Sequence, residues 1–180
     1  HGPIYFLTEE KAPSFVDDVV HIKTGTDEWG ARLLNGLSQI ESDLIFYMQE
    51  DFWAVKEFEL ESKFLDMFNE YDMDCLKICL NSPLISLNHI DGELYKYNQH
   101  SEYTLSHQFA LWNRKYFIEH IYPFQSPWDN EIYGTRRINE ADNKIYYIDN
   151  KWYEPVCRHG KLQPIGYDIL GTHNLEFNGK

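Results

Sequence analysis

The chain reads as a single α/β domain with a mixed, mainly parallel central sheet and helices on both faces, an expectation that rests on three observations. Apolar runs of strand length alternate with stretches of helical spacing, in the order strand, helix, strand, helix, strand. The run Leu44 to Met48 is continuously apolar and stops abruptly at Gln49, Glu50 and Asp51, as a strand buried on both faces does when it opens into a polar mouth. The 180 residues suffice for one substantial core without staples, and no repeat, low-complexity tract or linker divides them.

Each element has a local reason. Pro3 to Thr8 and Val16 to Ile22 read as strands, followed by a polar turn at Gly25 to Gly30. Ala31 to Ile40 places Leu33, Leu34, Leu37 and Ile40 at helical spacing. Glu57 to Tyr71 is a second helix, with Phe58, Leu60, Phe64, Leu65 and Phe68 along its stripe. Cys75 to Leu80 reads as another buried strand, stopped by Asn81-Ser82-Pro83. Leu84 to Glu102 lacks a strong period and reads as a long loop or an irregular hairpin turning at Asp91-Gly92. Leu105 to Trp112 is a strand, Arg114 to Ile121 a helix, and Pro123 to Trp128 a turn. Asp129 to Glu140 is a helix that Asp129 is placed to cap, and Lys144 to Ile148 returns to strand. From Tyr153 onward Pro155, Gly160, Pro164, Gly166 and Gly171 give a loop-like tail.

Composition excludes some functions. There are 29 Asp and Glu against 16 Lys and Arg, a formal net charge of -13, and no basic cluster reverses that field locally. Such a surface repels nucleic-acid phosphates, so no nucleic-acid partner is expected. Cys75, Cys79 and Cys157 have no metal-binding spacing. On a strand, Cys75 and Cys79 would share a face roughly 13 Å apart, too far for a disulfide. Reduced thiols and a cytoplasmic location are the expectation. Neither a signal peptide nor a membrane-length apolar run is visible, so the chain is expected to be soluble without an integral membrane segment. The high content of Trp and Tyr suits ordinary core packing and also suits sugar handling, because a pyranose C–H face packs on an aromatic ring.

The mouth after Met48 carries the chemistry. Ligands of open α/β sheets gather at strand C-termini. The adjacent acids Glu50 and Asp51 could hold a hard divalent cation there, and the cation could hold a diphosphate. They could equally begin a surface loop.

Three segments in this order resemble glycosyltransferases of the GT-A, Rossmann-like fold, of the kind that build bacterial and viral capsules and lipopolysaccharides. They are Tyr47-Met48-Gln49-Glu50-Asp51-Phe52-Trp53, Leu105-Ser106-His107-Gln108-Phe109-Ala110-Leu111-Trp112-Asn113-Arg114, and Ser126-Pro127-Trp128-Asp129-Asn130-Glu131. The first is similar to the acidic Asp-x-Asp strand end of those enzymes, and the last to a tryptophan-acidic motif that opens a helix. His159-Gly160-Lys161 is a fourth, weaker match.

The resemblance implies an inverting, hexosyl-type transferase of polysaccharide biosynthesis. It would move a sugar from a nucleotide-sugar donor to a glycan hydroxyl, with manganese or magnesium on the diphosphate. Asp51 is then the direct metal ligand, Glu50 a second ligand or a ribose contact, and His159 completes the shell. Glu131 is the expected base that removes the acceptor proton, with Asp129 next. Trp112, Trp128, His107 and Gln108 would line the donor and acceptor sugars, and Lys161, Arg136 and Arg137 would meet phosphate oxygens.

Each residue also has a purely structural account: a helix cap for Asp129, a dipole-favoured acid for Glu131, core packing for the tryptophans and surface salt bridges for the arginines. The chain departs from the family in two ways. Gln49 stands where the first acid of the motif belongs, and nothing ahead of Pro3 matches the strand-helix unit with which GT-A chains begin. Either this is a trimmed or shortened enzyme, or its nucleotide pocket is built differently. A non-catalytic carbohydrate-binding or scaffold domain of the same fold is the alternative. A nucleotidyltransferase would be expected to carry a glycine-rich phosphate loop, and none is visible.

Overall fold

The computed structural model describes residues 2–11, 19–49, 52–54, 62–80, 82, 84–149, 153–158 and 161–172. The elements in chain order are β1 (Ile4–Thr8), β2 (Val19–Lys23), α1 (Trp29–Ser38), β3 (Leu44–Tyr47), β4 (Phe52–Ala54), α2 (Ser62–Glu70) and β5 (Cys75–Lys77). They continue with β6 (Leu87–Asp91), β7 (Leu94–Tyr97), β8 (Ala110–Asn113), α3 (Arg114–Glu119), α4 (Pro127–Asn139) and β9 (Ile145–Ile148). The last are β10 (Tyr153–Pro155), β11 (Cys157–Arg158), β12 (Lys161–Leu162) and α5 (Pro164–Thr172).

The main sheet has six strands in the order β3-β8-β5-β9-β7-β6. Within this sheet, among the described residues, only β5 and β9 pair in parallel, and β3-β8, β8-β5, β9-β7 and β7-β6 are antiparallel, while β1 and β2 form a separate parallel pair. This corrects the expected GT-A, Rossmann-like arrangement with its mainly parallel central sheet and helices on both faces: the sheet is mixed and mostly antiparallel. The physical reason is that a continuous apolar run reports burial on both faces and carries no information on the direction of its neighbours. β8 is such a run, with Ala110, Leu111 and Trp112 at most 1 % exposed, and it runs antiparallel between β3 and β5. β3 lies at one end of the strand order rather than at its centre, and its four residues are half-buried.

Alternate residues of the inner strands divide into two apolar clusters, as the twofold period of a strand requires. One gathers Cys75, Ala110, Trp112, Ile145 and Tyr147 with Leu33 and Leu37 of α1, Phe117 of α3 and Ile138 of α4. The other gathers Leu76, Leu111, Tyr146 and Ile148 with Phe64 and Phe68 of α2. Cys75 and Cys79 are both buried.

Several boundaries moved for local reasons. α4 starts at Pro127, with Ser126 as its N-cap and Asp129 as the third helical residue. The Ser126 hydroxyl accepts from the Asp129 backbone N–H while the Asp129 carboxylate receives the Ser126 hydroxyl and N–H. Proline at the first helical position and this reciprocal capping box fix the start, so Asp129 supports the cap rather than being it. The long irregular segment holds the hairpin β6-β7, turning through Gly92 at φ 51°. The tail from Tyr153 is not all loop: β10 pairs antiparallel with β4, β11 with β12, and α5 begins at Pro164.

The start of α1 has no side-chain cap. Its first-turn donors go instead to the connection between α3 and α4, Gly30 N–H to Gln125 O at 3.3 Å and Ala31 N–H to Pro123 O at 3.0 Å. A Cβ at Gly30 would fall 2.0 Å from the Tyr122 carbonyl oxygen. Backbone cannot yield there without breaking these two bonds, so Gly30→Ala is expected to cost about 2–3 kcal/mol in urea unfolding.

Candidate functional site

Strand direction places the site. β5 and β9 are parallel, and β3 runs the same way because both it and β5 are antiparallel to β8. Tyr47, Lys77 and Tyr147 are level across the sheet, at or near the C-terminal ends of their strands, and Ala110 of β8 completes the row. The chain from Tyr103 to Phe109 reaches the sheet from this end, and its Leu105 and His107 bond to Asn130, Glu131 and Thr135 of α4.

That segment is gripped residue by residue. The Glu131 carboxylate accepts from the His107 backbone N–H at 2.9 Å. The Thr135 hydroxyl accepts from Leu105 N–H at 3.1 Å and donates to Leu105 O at 3.2 Å. From the sheet side, the Lys77 amine donates to Ser106 Oγ at 2.8 Å and to Tyr103 O at 2.6 Å. Tyr103 takes a left-handed backbone, φ 54°, which a side-chain-bearing residue adopts at a cost that these contacts offset. Lys77, Ser106 and His107 are each 1 % exposed.

His107 joins the two halves of the site. Its ring lies edge-on to Trp29 at 4.5 Å and to Tyr47, the last residue of β3, at 5.8 Å. Nε2 lies 3.0 Å from Asn130 Oδ1, while the amide nitrogen of Asn130 donates to His120 O and Gln125 Oε1, each at 2.9 Å. With its amide group oriented that way, Asn130 accepts from His107, so the imidazole carries its proton on Nε2. Among the described residues, His107 Nδ1 is buried without a hydrogen-bond partner.

Burial drives the His107 pKa down to about 3, with the Lys77 charge acting in the same direction and the Asn130 hydrogen bond opposing. Burial likewise lowers the Lys77 amine to about 8, against the opposing influence of Cys75 and Glu131. At neutral pH the site therefore holds a neutral imidazole and a buried amine that is predominantly cationic.

The other expected site residues are spread out. Gln108 is buried beside His107 in sequence, and Gln49 is half-buried just past β3. Trp112 is 0 % exposed, stacked on Phe117 at 4.7 Å within the core, and so presents no face to a ligand. Trp128 is 73 % exposed on the first turn of α4. Asp129 is exposed and occupied in its capping box. Arg136 is exposed over the Tyr133 ring, whereas Arg137 lies 4.0 Å from the Tyr122 ring centre and donates to His120 O. Lys161 is exposed at the start of β12.

Glu50, Asp51 and His159 lie outside the described residues. Among the described residues, no three His, Cys, Asp or Glu side chains converge as a metal site would require. No described helix is long and apolar enough to cross a membrane.

Lys77 and Asn130 were not singled out from sequence, although a signal existed for Lys77. A single cation inside the run Cys75-Leu76-Lys77-Ile78-Cys79-Leu80 has to be either paired or misplaced. Asn130 had none, because an amide between two acids reads as ordinary helix surface.

No family model, curated protein or solved structure matches this chain. Function must be argued from the site.

Proposed function

We propose that the chain is a glycosyltransferase that moves a sugar from a nucleotide-sugar donor to a glycan hydroxyl, with Glu131 as the base. The observation that carries this reading is the meeting at His107 of Tyr47, at the end of the strand leading to Glu50 and Asp51, with Glu131 of α4. Two of the three resembling segments thus contribute contacts at His107, Tyr47 from the first and Asn130 and Glu131 from the last, and the middle one supplies His107 itself. A carboxylate beside the C-terminal ends of β3 and β5 is suitably located to take the proton of an acceptor hydroxyl as that oxygen attacks the anomeric carbon. Asp51 and His159, with Glu50, would hold manganese or magnesium. When bound, the ion would neutralise charge on the departing diphosphate.

Thermal shift with a panel of nucleoside diphosphates, with and without manganese, tests the donor side. Stabilisation by one nucleotide that needs manganese and is lost in Asp51→Asn is the expected result. On the donor so identified, Glu131→Gln is expected to lower turnover by about 10²–10⁴-fold with little change in nucleotide binding. Full turnover in that variant would remove Glu131 from the role of base.

The half-buried Gln49, standing where the related motif has an acid, favours a second reading, a carbohydrate-binding or scaffold domain without activity. Oligosaccharide binding with no response to any nucleotide would decide for it.

A further inference from the structure

We propose that Lys77 is a positioning residue, whose buried charged amine locks the Tyr103–His107 segment and the Glu131 carboxylate into one electrostatically coupled array. The inference rests on the glycosyl-transfer reading only for its catalytic meaning; the coupling itself follows from geometry. Lys77 holds Tyr103 O and Ser106 Oγ, while Glu131 holds the next backbone N–H, that of His107. Cation and carboxylate therefore grip adjacent residues of one segment from opposite sides, the sheet and α4.

The groups facing the Lys77 amine come from every neighbouring element. Cys75 lies on its own strand, and the Tyr97 ring of β7 is 4.9 Å away. Tyr103 O and Ser106 Oγ are its direct partners, His107 feels its charge, and Glu131 is the carboxylate among the influences acting on it. A buried ammonium is costly unless paired and hydrogen-bonded, and this one has two short hydrogen bonds and an acid within electrostatic range. The lowered Lys77 pKa of about 8 agrees with a charge that is retained but expensive. For a transferase, the array would fix the position of the base carboxylate through the His107 backbone N–H.

Carbon-detected NMR of the Lys77 Cε resonance and the Glu131 carboxyl resonance tests this without any substrate. Glu131→Gln removes the anion, and the Lys77 amine should then deprotonate about one pH unit lower, tenfold in proton affinity. Linkage requires the reciprocal effect, a Glu131 carboxyl titrating about one unit higher in Lys77→Met and restored by Lys77→Arg. A Lys77 titration unchanged in Glu131→Gln would overturn the proposal. Should Lys77→Met fail to fold, the Glu131→Gln comparison alone decides, because that side chain is only half-buried. The nucleotide panel reads the catalytic assignment separately. Coupling without nucleotide response would keep the array and discard the transferase; the opposite result would do the reverse.

Discussion

Acidification from pH 6.5 to pH 4 is expected to destabilise this protein by about 3 kcal/mol through His107 alone. The sign follows from the direction of the shift. His107 titrates at about 3 in the folded protein, against an ordinary value of 6.5. Above pH 6.5 the imidazole is neutral in both states and its contribution is fully present. Between pH 6.5 and pH 3 the unfolded chain binds a proton that the folded chain refuses, so stability falls as pH falls, by about 1.4 kcal/mol per unit. Continued to pH 3, the loss reaches about 4 kcal/mol, close to the whole stability of a marginal small domain.

The cause is geometric. Trp29, Tyr47 and Phe117 surround the ring, the Lys77 cation lies within electrostatic range, and among the described residues Nδ1 has no acceptor to receive a second proton's charge. His107→Gln keeps a side-chain N–H for Asn130 but does not titrate. Urea unfolding between pH 7 and pH 4 should give a curve for that variant that is flatter than wild type by about 1.4 kcal/mol per pH unit. Parallel curves would mean that His107 is not the buried neutral group described.

The strength of this effect explains why the site was only partly legible in the sequence. The His107 and Glu131 segments could be found because their residue types and order match a known pattern. The coupling between them could not, because it depends on three-dimensional register. Lys77 on β5 is level with Ala110 on β8 only through antiparallel pairing, and strand direction is the property that apolar runs do not encode. Elements whose signals are local were placed well: α1 by its Leu33–Leu37 stripe, the β6-β7 hairpin by Asp91-Gly92, and β9 by its apolar run. The start of α4 was misplaced by two residues because Asp129 and Ser126 are both good caps, and only Pro127 between them decides in favour of Ser126. The pairing of β10 with β4 joins residues about a hundred positions apart in strands of three residues, too short for any period to register. Trp112 shows the converse limit: its motif position suggested a sugar wall, and its place on an inner strand puts it in the core.

The same network makes Asn130 the residue whose loss should unfold the site most directly. Its side chain is completely buried and joins three pieces of chain: His107 through Oδ1, and His120 O and Gln125 Oε1 through its amide nitrogen. Gln125 is the residue whose backbone carbonyl receives the Gly30 N–H at the start of α1, so the network reaches a second helix. Asn130→Ala would not strand all three partners equally. His120 O keeps a second donor, the Arg137 guanidinium at 2.9 Å. In contrast, Gln125 Oε1 and His107 Nε2 would lose their Asn130 partner inside the protein. At about 1–3 kcal/mol for each stranded group, with a small cavity added, the expected loss is about 3–4 kcal/mol in urea unfolding. The His107 Nε2–H resonance should also broaden or move, because the acceptor that fixes the tautomer is gone. Asn130→Asp separates shape from donation: it keeps an acceptor for Nε2, removes both amide donors, and introduces a carboxylate that pulls the His107 pKa upward. Its acid limb should therefore be shallower than that of wild type, even though it is less stable at pH 7. A wild-type acid limb in Asn130→Asp, or a loss below about 1 kcal/mol in Asn130→Ala, would mean that His107 and Asn130 are not bonded in solution.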